Sequence, residues 1–138
     1  MADPTCDRCT RTGAEYYKYF SGLYEFDVEA ARKWVADGRA PVEVEPDSVR
    51  DSVEITTIDD AHIDHVDPSI PGIITHVWFV TDDGEEAHGH LLIDGNHRAA
   101  RCLRDGRPFF AYVLTEAESR AVVMRGPADF ERQLSEAK

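Results

Sequence analysis

Cysteine is scarce in this chain, with three residues among 138, and so small an odd number does not build the disulfide framework of a secreted domain. No apolar run approaches the roughly 20 residues that a membrane-spanning helix needs. The N-terminal residues also lack the apolar segment of a signal peptide, so a cytoplasmic protein with no membrane partner is expected. Basic side chains are in deficit as well: 15 Lys and Arg face 27 Asp and Glu, a net charge of −12. Duplex DNA would be repelled by most of such a surface, and nothing after the apolar centre of the chain reads as a helix-turn-helix. A compact anionic ligand stays admissible, because only its own pocket has to be positive.

What is present is organised around Leu91-Leu92-Ile93-Asp94-Gly95-Asn96-His97-Arg98-Ala99-Ala100-Arg101-Cys102-Leu103. The apolar start reads as a buried strand, Asp-Gly as a sharp turn and the remainder as a helix to Asp105, closed by Gly106. Gly95 permits the turn and a close backbone approach, and Asp94 and Asn96 are both suitable N-cap residues. At helical spacing His97, Arg101 and Arg104 share one side, open to solvent or ligand, while Ala99, Cys102 and Leu103 gather on the other, which places Cys102 in the core. A helix N-terminus followed by Arg98 suits a phosphate or carboxylate.

The length suits a single core. Residues 1–26 read as an N-terminal segment, polar at first and then dense in aromatics from Tyr16 to Phe26, that packs on the domain or on a second copy in a homodimer, or offers a platform to a nucleobase. Residues 27–138 read as the domain. A helix opens at Asp27 and buries Val28, Ala31, Trp34 and Val35. Pro41 to Pro46 is a short edge strand, Asp47 to Asp51 a single turn and Val53-Glu54-Ile55 another strand. Ile73 to Val80, apolar enough for burial on both faces, turns at Thr81 to Glu85 and returns as Ala87 to Ile93. The register decides which of His76, His88 and His90 share a face, so no histidine cluster is assigned there. Pro108 to Leu114 is a third buried strand. Thr115 and Glu118 form a capping box for a helix to Met124, and Ala128 to Ala137 is a final amphipathic helix.

Two groups have metal-ligand character. Cys6-Asp7-Arg8-Cys9 has zinc-knuckle spacing, but a closed site needs four ligands. His62-Ile63-Asp64-His65 is the one comparable pair, so Cys6, Cys9, His62 and His65 form the candidate Zn²⁺ set. The plainer reading leaves both cysteines as thiols of a loose terminus. Asp60, Asp64 and Asp67 offer oxygen ligands to a harder cation such as Mg²⁺, or are simply a solvated acidic loop.

The stretch Leu92 to Ala100 resembles the ParB/sulfiredoxin superfamily, in which a strand ends in a Gly-x-[His/Arg]-Arg turn before a phosphate-binding helix. It is similar to the Asp-Gly-His-His-Arg form of ParB-like proteins that include a free-serine kinase. Gly95 falls on the family glycine, His97 on its His or Arg, and Arg98 on its phosphate-binding arginine. Asn96 departs from the pattern: sulfiredoxins carry their reactive cysteine there and CTP-binding ParB proteins a glutamate, which argues against both chemistries. The resemblance spans about Val42 to Val123. It implies an α+β (α/β) domain, a small mixed sheet flanked by helices, with ATP, ADP or another nucleotide bound with Mg²⁺. Asp94, Gly95, Asn96, His97, Arg98 and Arg101 would contact phosphate. Asp64, His97 and Arg98 would assist transfer to a small-molecule or protein acceptor, or hydrolysis. The alternatives are a sensor that binds nucleotide without chemistry and a ParB-like DNA-binding protein or nuclease, the latter disfavoured by charge.

Overall fold

The computed structural model describes residues 16–19, 24–54, 58, 60–80 and 83–125. The described residues form an α+β domain with two sheets and five helices. In order, the elements are β1 (Tyr16–Tyr19), β2 (Tyr24–Asp27), α1 (Val28–Val35), β3 (Val42–Val44), α2 (Pro46–Glu54), α3 (Asp60–Ile63), β4 (Gly72–Val80), β5 (Glu86–Asp94), α4 (Asn96–Asp105), β6 (Phe109–Val113), α5 (Glu116–Val122) and β7 (Val123–Arg125). Cys6, Cys9, Ile55, Thr81, Asp82 and the expected helix from Ala128 to Ala137 lie outside the described residues.

The larger sheet has the order β3-β6-β4-β5, with β4 antiparallel to β5 and parallel to β6. One face carries Ile73, Val77, Leu91 and Ile93, which meet Tyr24 and Phe26 of β2, Ala31 and Val35 of α1, and Val122 of α5. The other carries Leu92, Phe109 and Ala111, which meet Val49 of α2 and Ala99 and Cys102 of α4. A sheet with helices on both faces needs apolar residues in both alternating positions, as these strands have. The burial of β4 is nonetheless uneven: Ile73, Thr75 and Val77 are buried, whereas Ile74 and His76 on the opposite face are only partly so. Tyr24 and Phe26, ahead of Asp27, belong to the core, and β2 links β1 and β7 in the second, three-stranded sheet.

Local signals explain most of the helices. Asp27 caps α1 by accepting from the Ala30 amide at 3.0 Å, while Arg32 and Lys33 sit in its negative last turn. Its buried stripe is Val28, Ala31 and Val35, and Trp34 turns outward. Thr115 and Glu118 form the expected capping box of α5. That helix ends at Val122 rather than Met124, because Val123–Arg125 pairs with β2 instead. Between Pro46 and Glu54 a nine-residue helix replaces the single turn and the strand expected from sequence. Pro46 opens it, where its missing N–H costs nothing, and Val49 is buried against α4.

Candidate functional site

The turn between β5 and α4 is shaped by a bulge. Ile74 faces Leu92, but Ile73 faces Asp94 instead of Ile93, so one residue of β5 is extra. A bulge re-aims the side chains beyond it. Here it turns Asp94 towards α1, whose Arg32 donates from Nε to Oδ2 and from a terminal nitrogen to Oδ1, each at 3.0 Å. Arg98, one turn into α4, reaches back to the same Oδ1 at 3.3 Å. The Asp94 side chain is 9% exposed, that of Arg98 15% and that of Arg32 47%. Two guanidinium groups thus share one buried carboxylate.

Gly95 carries this geometry. Its φ of +92° is left-handed, and a Cβ there would stand 2.9 Å from Gly72 Cα and 3.0 Å from an Arg98 guanidinium nitrogen. Only glycine combines that backbone with so close an approach. Gly95 is also the N-cap of α4 and offers no side-chain cap. Neither Asp94 nor Asn96 takes that role: Asp94 is held by the arginines, and Asn96, the first helical residue, donates its side-chain amide to the Leu92 carbonyl at 3.0 Å. The C-terminal end follows expectation, with Gly106 in the left-handed conformation at φ +67°.

The polar side of α4 is covered rather than open. Arg101 donates to the carbonyls of Ile63 and Asp64 at 3.2 and 3.4 Å and to Asp105 at 2.7 Å. Arg104 donates to the Asp64 carboxylate at 2.8 Å, which holds that carboxyl below its ordinary range. The His62 and His97 rings meet edge to face at 4.9 Å, and His62 and His65 at 6.2 Å. Asp64, His62, His65, His97, Arg98 and Arg101, scattered over 40 positions, therefore all lie along α4, whereas Cys6 and Cys9 lie outside the described residues. The His97–His62 contact had no sequence signal beyond the two residue types. Cys102 is buried, its thiol pushed up by desolvation. Among the described residues no three His, Cys, Asp or Glu side chains already converge on a metal position.

A cavity of about 470 Å³ lies between β3, α2 and the β4–β5 hairpin. Val44, Ile74, Leu92 and Val113 give it an apolar floor, and Glu43, Ser48, Asp51, Ser52 and His90 a polar rim. Its size suits a small organic ligand. Leu92 joins the two places, lining the cavity while its carbonyl holds Asn96.

Asp94 is a poor magnesium ligand in this arrangement, since guanidinium groups engage both its oxygens. Among the described residues no helix is long and apolar enough to cross a membrane. Comparison with family models, with curated proteins and with solved structures gives no match.

Proposed function

We propose that this chain binds a nucleotide, with its phosphates at the Gly95–Arg98 turn and its base over the neighbouring cavity. One observation carries the reading: Arg32 and Arg98 meet on a single carboxylate at the positive end of α4, in a chain of net charge −12. Two cations on one anion leave a local excess of positive charge, which a phosphate oxygen can complete by bidentate hydrogen bonding. The resemblance of Asp94-Gly95-Asn96-His97-Arg98 to ParB-like phosphate turns points the same way. The apolar floor of the cavity suits a nucleobase, whose N–H groups Glu43 and Asp51 can accept. Mg²⁺ would arrive with the phosphates and keep much of its water.

Phosphoryl transfer or hydrolysis is the catalytic form of this proposal, with His97, in the turn itself, and Asp64, bonded to Arg104 further along α4, as the candidate groups. A sensor without chemistry is the second reading, favoured by Asp64 itself: a carboxylate held ionised by Arg104 is a weak general base. Calorimetry with ATP, ADP and CTP, with and without Mg²⁺, tests binding, and phosphate release or transfer in the same samples separates enzyme from sensor. Absence of binding by all three nucleotides would overturn both.

A further inference from the structure

The floor of the cavity is a row of side chains laid across the larger sheet. Val113 of β6 faces Ile74 of β4, and Ile74 faces Leu92 of β5, so three apolar residues that line the cavity stand side by side. Neighbouring strands lie about 4.8 Å apart, which makes the row about 10 Å wide, room for a purine to lie flat. Leu92 comes two residues before Asp94, so only about 7 Å of strand separates this floor from the start of the proposed phosphate turn.

The α2 helix forms the wall. Ser48 and Asp51, three apart and so neighbours on one helix face, line the cavity, while Val49 points into the core. Glu43 of β3 supplies a second carboxylate. Elsewhere in the domain carboxylates are held by arginine: Arg39 takes Asp37 and Glu118, Arg101 takes Asp105, and Arg104 takes Asp64. Among the described residues no Lys or Arg lines the cavity, and neither Glu43 nor Asp51 has a basic partner there. The rim is therefore rich in acceptors, and its hydroxyl donors come from α2.

We infer that the preferred ligand is a guanine nucleotide, with Asp51 reading the N1–H and 2-amino edge of the base and the Ser48 hydroxyl donating to O6; this rests on the proposed nucleotide site. An ionised carboxylate only accepts hydrogen bonds. Guanine alone among the common bases sets two N–H donors side by side, one for each carboxylate oxygen, in a bidentate pair. Adenine and cytosine each follow their amino group with a ring nitrogen that is itself an acceptor, so one carboxylate oxygen would face a lone pair. Uracil flanks its single N–H with two carbonyls. A polar group left unmatched in this way is what lets such a site discriminate between ligands. Glu43 adds to the preference by disfavouring ligand acceptors at the opposite side of the rim.

The test is calorimetry on the full chain with Mg²⁺, comparing GTP, inosine triphosphate, ATP and CTP in the wild type, Asp51→Asn and Arg98→Ala. GTP should bind at least about tenfold more tightly than ATP or CTP, the size of one hydrogen bond to a charged group. Inosine triphosphate, which keeps N1–H and lacks the 2-amino group, should fall between them. Asp51→Asn should bring GTP down to the level of ATP and admit xanthosine triphosphate, whose 2-carbonyl accepts from the new amide. Asp51 is exposed, so the substitution leaves the core untouched, and a gain for xanthosine triphosphate cannot come from unfolding. Arg98→Ala should weaken every nucleotide alike, because it acts on phosphate. Equal affinity of the wild type for GTP and ATP, or an unchanged GTP preference in Asp51→Asn, would overturn the guanine assignment and leave the nucleotide reading standing. Failure of every nucleotide to bind would remove both.

Discussion

Arg32 and Asp94 are 62 positions apart in sequence and joined by two hydrogen bonds of 3.0 Å each. The pair ties α1 to the end of β5, and Arg98 adds a second cation to the same carboxylate. Replacing Asp94 therefore has two opposed effects. Asp94→Asn leaves Arg98 beside a neutral amide and should lower unfolding free energy by about 2 kcal/mol, read from urea melts. The same change removes a negative charge from the proposed phosphate site. Nucleotide affinity should then rise about fivefold, the size of one charge at contact distance in water. A weakened fold with weakened binding would show that Asp94 serves the ligand and not the arginines.

Arg32→Met is the milder partner experiment. Its side chain is half exposed, so stability should fall by only about 1 kcal/mol. Nucleotide affinity should fall more steeply, because one of the two cations is gone. Equal affinity in wild type and variant would remove Arg32 from the site.

Gly95→Ala should cost roughly 2–4 kcal/mol, from the left-handed backbone and from collision with Gly72. Gly72→Ala should also destabilise, by about 1–3 kcal/mol, because its Cβ would lie 2.6 Å from the Asp94 carbonyl oxygen and 2.8 Å from Phe109. The double variant should cost less than the sum, since the two sites touch. Additive losses in thermal or urea melts would contradict that contact.

How much of this was readable beforehand follows from how local each feature is. The strand, the Gly95 turn, the helix and its Gly106 end were legible between Leu91 and Gly106 because turn and cap chemistry acts within a few residues. The capping box of Thr115 and Glu118 was legible for the same reason. Arg32–Asp94 was not, since it depends on a bulge opposite Ile73 and on α1 crossing the sheet. The α2 helix is less legible, because a proline after an alternating run ends a strand as readily as it begins a helix; Val49 and Val53, four apart, carry the helical sign. The open side expected for His97, Arg101 and Arg104 is covered by the segment from Asp60 to His65, a tertiary choice that helical periodicity does not encode.

Acid sensitivity should centre on Arg39. It binds both oxygens of Glu118 at 2.6 and 2.8 Å and both of Asp37 at 2.9 Å, and its guanidinium holds Glu118 down at about 2, from an ordinary 4.5. Because the folded pKa is the lower one, the unfolded chain binds the proton first. The stabilisation is complete above about pH 4.5 and is lost as pH falls towards 2. Glu118→Gln should therefore destabilise at pH 7 and differ little from wild type at pH 2, in melts run across that range. A constant difference at every pH would contradict the ion pair.

Cys102 should be inert while the chain is folded. Its side chain is buried and its thiol pushed up by desolvation, and only the thiolate reacts. In a Cys6→Ser/Cys9→Ser background, a thiol reagent should modify nothing until denaturant is added. Rapid modification of the native protein would show that α4 opens.

Backbone amide NMR during titration with ATP and Mg²⁺ addresses the central claim most directly. The amides of Gly95, Asn96, His97 and Arg98 should shift saturably in the wild type, and Arg98→Ala should abolish those shifts while its remaining spectrum stays folded. Unmoved amides at this turn, or equal saturation in Arg98→Ala, would contradict the account.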